Sequence, residues 1–405
     1  MVNTEQTMHA CPACGLLCDD ISADTIAKQQ FSCGKAAKFY ARSTSLNVQP
    51  QVNGQAVSLA QAVKAAAELL QQAQSPLIAG SSTDVHGARA LVSLANQNGA
   101  DMTHLNADST LRNMKVLQHR GWQTTTLTEV RNRADVILMI GTDVVTHNAR
   151  FFERVVWVDE AMFTEPSARQ IIYLGGDKLK TQAGVSPDGR APQMIACASE
   201  HLPEVVSALR ALIMNKPVAG ENIAGVPVST LAALAETLKA AKYATLVWVS
   251  KDLHFEHAEL TIENITETVV ALNQKSRAMG LSLGGSDGDT SVNYAHTWLN
   301  GVIIDAPHWQ DHDAVVWVNS FSPEAMPPAE VSPVIVLGAA DSKFTTPPAV
   351  FIPVATPGLD TGGQQFRVDG SVTLPLTAAK PSDVPTLSKV VALIEQAIAN
   401  EGKQA

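Results

Sequence analysis

The sequence predicts an α/β protein, with parallel sheets flanked by helices and a small cysteine-rich lobe in front of them. Three observations carry this. Short apolar runs rich in branched residues recur along the chain, among them Pro76-Leu-Ile-Ala-Gly80, Ala134-Asp-Val-Ile-Leu-Met-Ile-Gly141 and Ala314-Val-Val-Trp-Val318. Their apolarity is continuous rather than alternating, as strands covered on both faces require. Segments of helical spacing separate them. Finally, four of the five cysteines lie within 23 residues, ahead of the first such run.

Taken in order, the chain starts without a basic region followed by an apolar run, and residues 43–54 form a polar bridge after the cysteines. Ser58-Leu-Ala-Gln61 is a capping-box pattern, in which hydroxyl and amide satisfy each other's orphan backbone donors. Leu59, Val63, Ala66, Ala67 and Leu70 then fall on one helical face. A strand at 76–80 and a helix over 85–96 follow. Further strands are expected at 134–141, 154–158 and 170–174, then helices over 203–215 and 228–241, a strand at 243–249 and a helix over 258–274. The remaining strands are 314–318, 333–337 and 351–353, the last an edge piece because Pro353 lacks a ladder donor. A helix over 386–400 and the polar tail 401–405 close the chain. These elements read as two Rossmann-like units, with interleaving allowed. The expected division is a cysteine-rich lobe at 1–54, α/β domains at 55–200 and 201–345, and a segment at 346–405 returning to the core.

Composition narrows the partners. With 405 residues and 45% hydrophobic content the chain can bury one or two sizeable cores. Its net charge is −10 and its Lys and Arg form no stripe, so nucleic acid is not an expected partner. No apolar stretch reaches the roughly 20 residues of a membrane span. The expected compartment is the cytoplasm, where thiols hold metals or pack as small hydrophobes, which also suits the lone Cys197.

Cys11-Pro-Ala-Cys14-Gly-Leu-Leu-Cys18 is joined by Cys33 in Cys33-Gly-Lys35. A structural zinc usually takes two CxxC knuckles, whereas here three thiols crowd one loop and the fourth comes from a separate turn. That asymmetry suits a [4Fe–4S] cluster, with zinc and an inherited, ligand-free spacing as the alternatives. Pro12 and Gly15 favour tight turns whose amides can point at sulfur, and Asp19 and Asp20 read as turn or cap residues. Gly284-Gly285-Ser286-Asp287-Gly288 reads as a turn more readily than as a phosphate cradle. His254 and His257 flank Glu256 without a third metal ligand, and Trp157, Trp248 and Trp317 are placed in strands as core.

The run CPACGLLCDDI with Cys33-x-Lys35 resembles the amino terminus of the B subunit of formylmethanofuran dehydrogenase and of the related formyltransferase/hydrolase complex of methylotrophs. The segment from Thr126 to Ile137 and the loop Gly358-Leu-Asp360-Thr-Gly-Gly363-Gln-Gln-Phe-Arg-Val-Asp369-Gly370 are similar to further stretches of that family. The resemblance covers nearly the whole chain. It implies a molybdopterin oxidoreductase-like fold lacking the C-terminal β-barrel of larger relatives, and a [4Fe–4S] cluster on Cys11, Cys14, Cys18 and Cys33. In redox-active members a cysteine or selenocysteine followed by histidine ligates tungsten or molybdenum, and Ser109 and Thr110 stand at those places. An Arg-Gly-His stretch is matched by Gly284-Gly285-Ser286. The late loop keeps its shape with altered chemistry at Asp360, Gly363, Gln364, Arg367, Asp369, Gly370 and Ser371.

A hydroxyl is a poorer ligand than a thiolate for such a metal, and threonine cannot relay protons near neutral pH. Asp108, in an expected loop, reads as a cap. The expectation is therefore a non-redox B-type chain without pterin, tungsten or molybdenum and without a catalytic centre of its own. It would act as scaffold beside amidohydrolase-like A, formyltransferase and C subunits that convert formaldehyde to formate through tetrahydromethanopterin and a methanofuran-like carrier. The alternative is an active tungsten or molybdenum dehydrogenase subunit. A stand-alone iron–sulfur or zinc module would leave the α/β body unexplained.

Overall fold

The computed structural model describes residues 8–43, 48–327, 329 and 331–401. The first seven residues, part of the 43–54 bridge and the tail beyond residue 401 lie outside them. The chain forms two units. The first comprises segments up to Asp108, Gly285–Arg367 and from Val372 onward, and the second Ser109–Gly284 with Val368–Ser371.

In the first unit, the described residues form a sheet ordered 55–56, 51–52, 350–354, 334–339, 314–319, 76–82, 101–102. Its last five strands run parallel. The two short ones are a hairpin attached antiparallel to Val350–Val354. The turn of that hairpin is Asn53-Gly54, both with positive φ, the pair most suited to a two-residue turn. The expected boundary at 54/55 therefore falls inside a hairpin. Val350–Val354 is not an edge strand, but the hairpin meets it only at Val350 and Phe351, so the missing donor of Pro353 lies beyond that ladder.

The second unit holds a parallel sheet ordered 278–283, 244–249, 136–140, 170–175, 193–196. Its core is one apolar cluster including Leu138, Ile172, Leu209, Leu234, Trp248 and Ile262. The expected boundaries at 200/201 and 345/346 do not separate the sheets. Pro76–Ser82 pairs with Ala314–Asn319, and Val136–Ile140 pairs with Ala244–Val249. Interleaving of this kind places each sheet's covering helices on chain segments far apart in sequence.

Local rules account for most elements. Ser58 accepts from the Gln61 amide and the Gln61 side chain closes the capping box over Leu59–Gln72. Asp84 caps Val85–Asn98, which ends at Gly99 in the left-handed conformation. One expected strand is absent. Residues 154–158 instead run through the end of a π-helical turn, Phe152–Val156, and Trp157 follows it with its indole donating to the Ala183 carbonyl at 2.9 Å. The buried Arg169 guanidinium donates to the Val155 carbonyl at 3.0 Å and also to that of Val156. A short apolar run cannot be told from a buried helical turn by periodicity alone. Residues 107–111, expected as a loop, begin the helix Ala107–Arg120.

The cysteine segment is part of the first unit. Cys11, Ile21, Ile26, Cys33, Phe39 and Tyr40 pack in one cluster with Phe321, Leu359 and Leu376. Arg42, at the end of the helix Gly34–Ala41, fixes this arrangement. Its Nε and Nη2 donate to the two oxygens of Asp341 at 2.9 and 2.8 Å, Nη1 to the Ser320 and Phe321 carbonyls at 3.3 and 3.1 Å, and Nη2 to Thr356 Oγ1 at 3.1 Å. Arg42→Ala is expected to cost about 3–5 kcal/mol, because it strands a partly buried carboxylate and three loop acceptors. Arg42→Lys should recover little of that, since an ammonium cannot reproduce the fork. Urea unfolding followed by circular dichroism checks both.

Candidate metal centre and surrounding loops

The Cys11–Cys18 loop closes on itself through the Cys11 amide, which donates to the Cys18 carbonyl at 2.8 Å, and through Leu17, whose positive φ lets its amide reach the Cys14 carbonyl at 3.2 Å. Cys33 is the N-cap of Gly34–Ala41, so its sulfur stands at the positive end of a helix dipole. Cys11, Cys14 and Cys33 are buried and Cys18 is half-buried. Burial pushes the Cys11 thiol up. The Ala13 amide bonded to it acts against this, and Cys14, Cys18 and Cys33 push it further up. Each of the other three thiols therefore lies within electrostatic reach of Cys11. Among the described residues, no three His, Cys, Asp or Glu side chains gather as a site for a single metal ion. That includes His254 and His257; His257 faces only Glu256 and Glu259, each at 3.5 Å.

Two later loops seat this cysteine loop within the same unit. Gly15 donates its amide to the Gly285 carbonyl at 2.8 Å. Gly358, with positive φ, lies so close to Pro12 that an added Cβ would be 3.2 Å from its Cγ. The glycines at 284–288 serve packing. The Gly284 amide is taken by Asn148 Oδ1 at 2.8 Å, and the Ser286 amide by Asp289 Oδ2 at 3.2 Å. Gly288, also at positive φ, presses on the Thr83 carbonyl with no room for a side chain. This is a turn, and two amides that a phosphate would need are occupied.

Two carboxylates, the half-buried Asp289 and the buried Asp360, support the loops. Asp289 accepts from Asn106 Nδ2 at 2.9 Å, and burial raises it to about 6. Asp360 accepts from the Thr356 amide and burial raises it to about 6 as well, with Arg42 acting in the opposite sense. The rest of the late loop is held by backbone bonds. Gln364 donates its amide to Asp84 Oδ2 at 3.0 Å and Arg367 donates its amide to the Val372 carbonyl at 3.0 Å. In the second unit, Asp369 accepts from the Leu127 amide at 2.8 Å, at a helix start that Thr126 also caps. Ser371 donates to Asp369 Oδ1 at 3.0 Å, and Gly370 has the positive φ this turn needs.

Ser109 and Thr110 lie half-buried on the first turn of Ala107–Arg120, with Asp108 exposed beside them. Neither offers a thiolate or an imidazole. The same helix is anchored by Asn113, which accepts from the Trp248 indole at 2.9 Å and donates to Ser282 Oγ at 2.9 Å.

Each sheet ends in a polar crevice where strand order reverses, the usual place for a ligand in an open α/β sheet. In the first unit, Thr83 Oγ1 and Ser320 Oγ after the two central strands, with Gln365 Oε1 in the late loop, are buried without a hydrogen-bond partner among the described residues. In the second, Asp252 accepts from Thr142 Oγ1 at 2.6 Å and meets His147 Nε2 at 2.6 Å. Asn148 and Gly284 exchange two bonds of 2.8 Å. None of Thr83, Ser320, His147 and Asp252 stood out in the sequence. The available signal was position, since each closely follows an apolar run read as a strand.

Because folding raises Asp289 and Asp360 above their ordinary value of 3.8, the folded state keeps protons that the unfolded chain releases from about pH 4 upward. Both groups add stability at low pH and lose it as the pH rises through about 6. Asp360→Asn is thus expected to match the parent near pH 4 and to gain roughly 1–2 kcal/mol on it at pH 7, read from denaturant midpoints across that range.

No family model matches the chain. The B subunit of a tungsten-containing formylmethanofuran dehydrogenase 2 from Methanocaldococcus jannaschii is 24% identical over 419 residues, covering 93% of both chains. The B subunit of the formyltransferase/hydrolase complex of Methylorubrum extorquens is 25% identical over 367 residues, covering 84% of this chain and 94% of that one. The crystal structure of that complex with methylofuran contains a chain matched at a TM-score of 0.72 and 25% identity, over 87% of this chain and 99% of its own length. Acetylene hydratase from Pelobacter acetylenicus shares the fold, with a TM-score of 0.68 at 10% identity over 98% of this chain and 70% of that one. The chain is a homologue of the B subunits of formylmethanofuran dehydrogenase and of the formyltransferase/hydrolase complex.

Proposed function

We propose that this protein is the non-redox B-type component of a cytoplasmic formyltransferase/hydrolase complex, a scaffold for the amidohydrolase-like, formyltransferase and C subunits that carry one-carbon units from formaldehyde to formate. The observation that carries this reading is the first turn of Ala107–Arg120. By the resemblance, Ser109 and Thr110 correspond to the metal-ligating thiolate or selenolate and the histidine of redox-active relatives. A serine hydroxyl binds such a metal poorly, and threonine cannot relay protons near neutral pH as histidine can. Gly284-Gly285-Ser286 replaces the Arg-Gly-His stretch with residues engaged in backbone contacts. The residues present do not fit a tungsten or molybdenum centre. Among the described residues no helix is long and apolar enough to cross a membrane.

The cysteines fit a [4Fe–4S] cluster. Cys14, Cys18 and Cys33 lie within electrostatic reach of the buried Cys11, with a helix N-terminus at Cys33 and a backbone amide on Cys11 to stabilise negative sulfur. Cys11, Cys14, Cys18 and Cys33 would hold the cluster, which supplies structural cross-linking of the segment and the capacity to pass an electron.

A second reading, an active tungsten or molybdenum dehydrogenase subunit, is favoured by the unpartnered buried hydroxyls of Thr83 and Ser320 at the end of the first sheet and by the tungsten named for the dehydrogenase relatives. Metal analysis of the purified complex separates the two. Iron without tungsten or molybdenum, and no fluorescent pterin released on denaturation, is the expected result. Ser109→Ala should leave formyl hydrolysis within about tenfold of the parent, because a group outside the chemical step gives no differential transition-state binding.

Replacing Cys14 and Cys18 together by serine should lower the melting temperature and open residues 8–43 to proteolysis while the sheets persist. Loss of the ligand removes folding free energy from a segment whose own apolar content is small. A double variant that matches the parent in melting, cleavage and assembly would leave the four cysteines as spacing without a ligand.

A further inference from the structure

The helix Asp289–Asn300 ends in an apolar patch that the first unit leaves uncovered. Trp298 is 73% exposed, Leu299 50%, and Val302, just beyond the helix, 56%. Large side chains this exposed and this close together are unlike scattered surface hydrophobics, and tryptophan is the residue type most enriched at the energetic centres of protein interfaces. Leu299 of this patch also lines a groove of about 560 Å³ between three helices. His86, Arg89, Ser93 and Asn96 line it from Val85–Asn98, Leu299 from Asp289–Asn300, and Ser388 from Leu387–Glu401. Asn96 Nδ2 donates to Asn300 Oδ1 at 3.0 Å, tying the groove's floor to the end of the apolar helix.

The charge of the groove is opposite to that of the chain. The protein carries −10 overall, yet no carboxylate lines this groove among the described residues. Arg89 and His86 reach into it, and Arg89 makes no ion pair or hydrogen bond among the described residues. Elsewhere most arginines are engaged, as at Arg42 with Asp341 and Arg120 with Glu263. A cationic, donor-rich groove beside a tryptophan is complementary to a segment that offers a carboxylate to Arg89 and an apolar side chain to Trp298 and Leu299.

We infer that the groove between these three helices, with the exposed Trp298 next to its lining residue Leu299 on Asp289–Asn300, docks an acidic, apolar-anchored segment of another subunit of the complex. This rests on the reading of the chain as a scaffold subunit. Arg89 fixes the acidic group of the incoming segment, and Trp298, Leu299 and Val302 supply the buried contact.

The test uses the full chain co-expressed with the amidohydrolase-like, formyltransferase and C subunits of the same organism. Dissociation constants for each subunit are measured by biolayer interferometry, with circular dichroism of each variant as the folding control. Trp298→Ala and Arg89→Glu should each weaken docking of one subunit by at least about tenfold with unchanged folding. Arg89→Lys should retain most of the affinity, and Leu260→Ser, an exposed leucine of the second unit, should leave it unchanged. A photo-crosslinker in place of Trp298 should capture a peptide of that subunit containing Asp or Glu. Equal affinities for parent, Trp298→Ala and Arg89→Glu would overturn the inference, as would a crosslink to a second copy of this chain or to a segment without carboxylates. If the parent binds none of the subunits, the scaffold reading fails and the groove assignment with it. If the parent binds and the variants bind equally, only the groove assignment fails.

Discussion

The first unit depends on one guanidinium. Arg42 follows the cysteine segment and reaches the loops after three parallel strands, through the Ser320 and Phe321 carbonyls, both oxygens of Asp341, and Thr356. Its side chain is 10% exposed and that of Asp341 22%, so the pair is largely removed from water and its geometry has to be good to offset desolvation. The bidentate fork meets that demand. Phe39 beneath the guanidinium, 5.8 Å from ring centroid to charge, adds the stem's packing and a cation–π term. An amino-terminal segment of short elements thereby becomes part of a sheet-centred unit, with Cys11 and Cys33 in the same apolar cluster as Phe321, Leu359 and Leu376.

From that anchor the neighbouring loops follow. Lys380 donates to the Tyr40 and Arg42 carbonyls at 2.5 and 2.8 Å, and its backbone amide to the Leu359 carbonyl at 2.6 Å, so the late loop is held to the same helix end. Asp360 sits buried behind Thr356, and Gly358 leaves room for Pro12. The glycine-rich turn contributes the Gly285 carbonyl that the cysteine loop needs. These loops hold their shape through hydrogen bonds to one another.

The two crevices differ in what they leave unsatisfied. In the second unit Thr142, His147, Asp252, Asn148 and Gly284 close a hydrogen-bonded set at the strand ends. In the first, Thr83, Ser320 and Gln365 keep buried polar atoms without partners among the described residues, a cost of about 1–3 kcal/mol each when nothing pairs with them. Orphan groups at the switch point of a parallel sheet are where a polar ligand or ordered water would be accommodated.

What the sequence determined by itself was local. The continuous apolar runs at 76–80, 134–141, 243–249, 314–318 and 333–337 became strands, because branched residues covered on both faces suit a parallel sheet flanked by helices. The Ser58 capping box formed because its partners are three residues apart. The spacing of Cys11, Cys14, Cys18 and Cys33 is likewise a property of the sequence alone. Tertiary structure decided what depends on distant residues. The run at 154–158 became a helical turn because Arg169, beyond the following loop, takes up the freed carbonyls. The start of Ala107–Arg120 was hidden because its anchors, Trp248, Ser250 and Ser282, come from strands or loops more than 130 residues away. The interleaving of the two sheets, and with it the failure of the boundaries at 54/55, 200/201 and 345/346, came from strand pairings such as Ala79 with Trp317. Periodicity records which face of an element is buried, but not which distant element covers it.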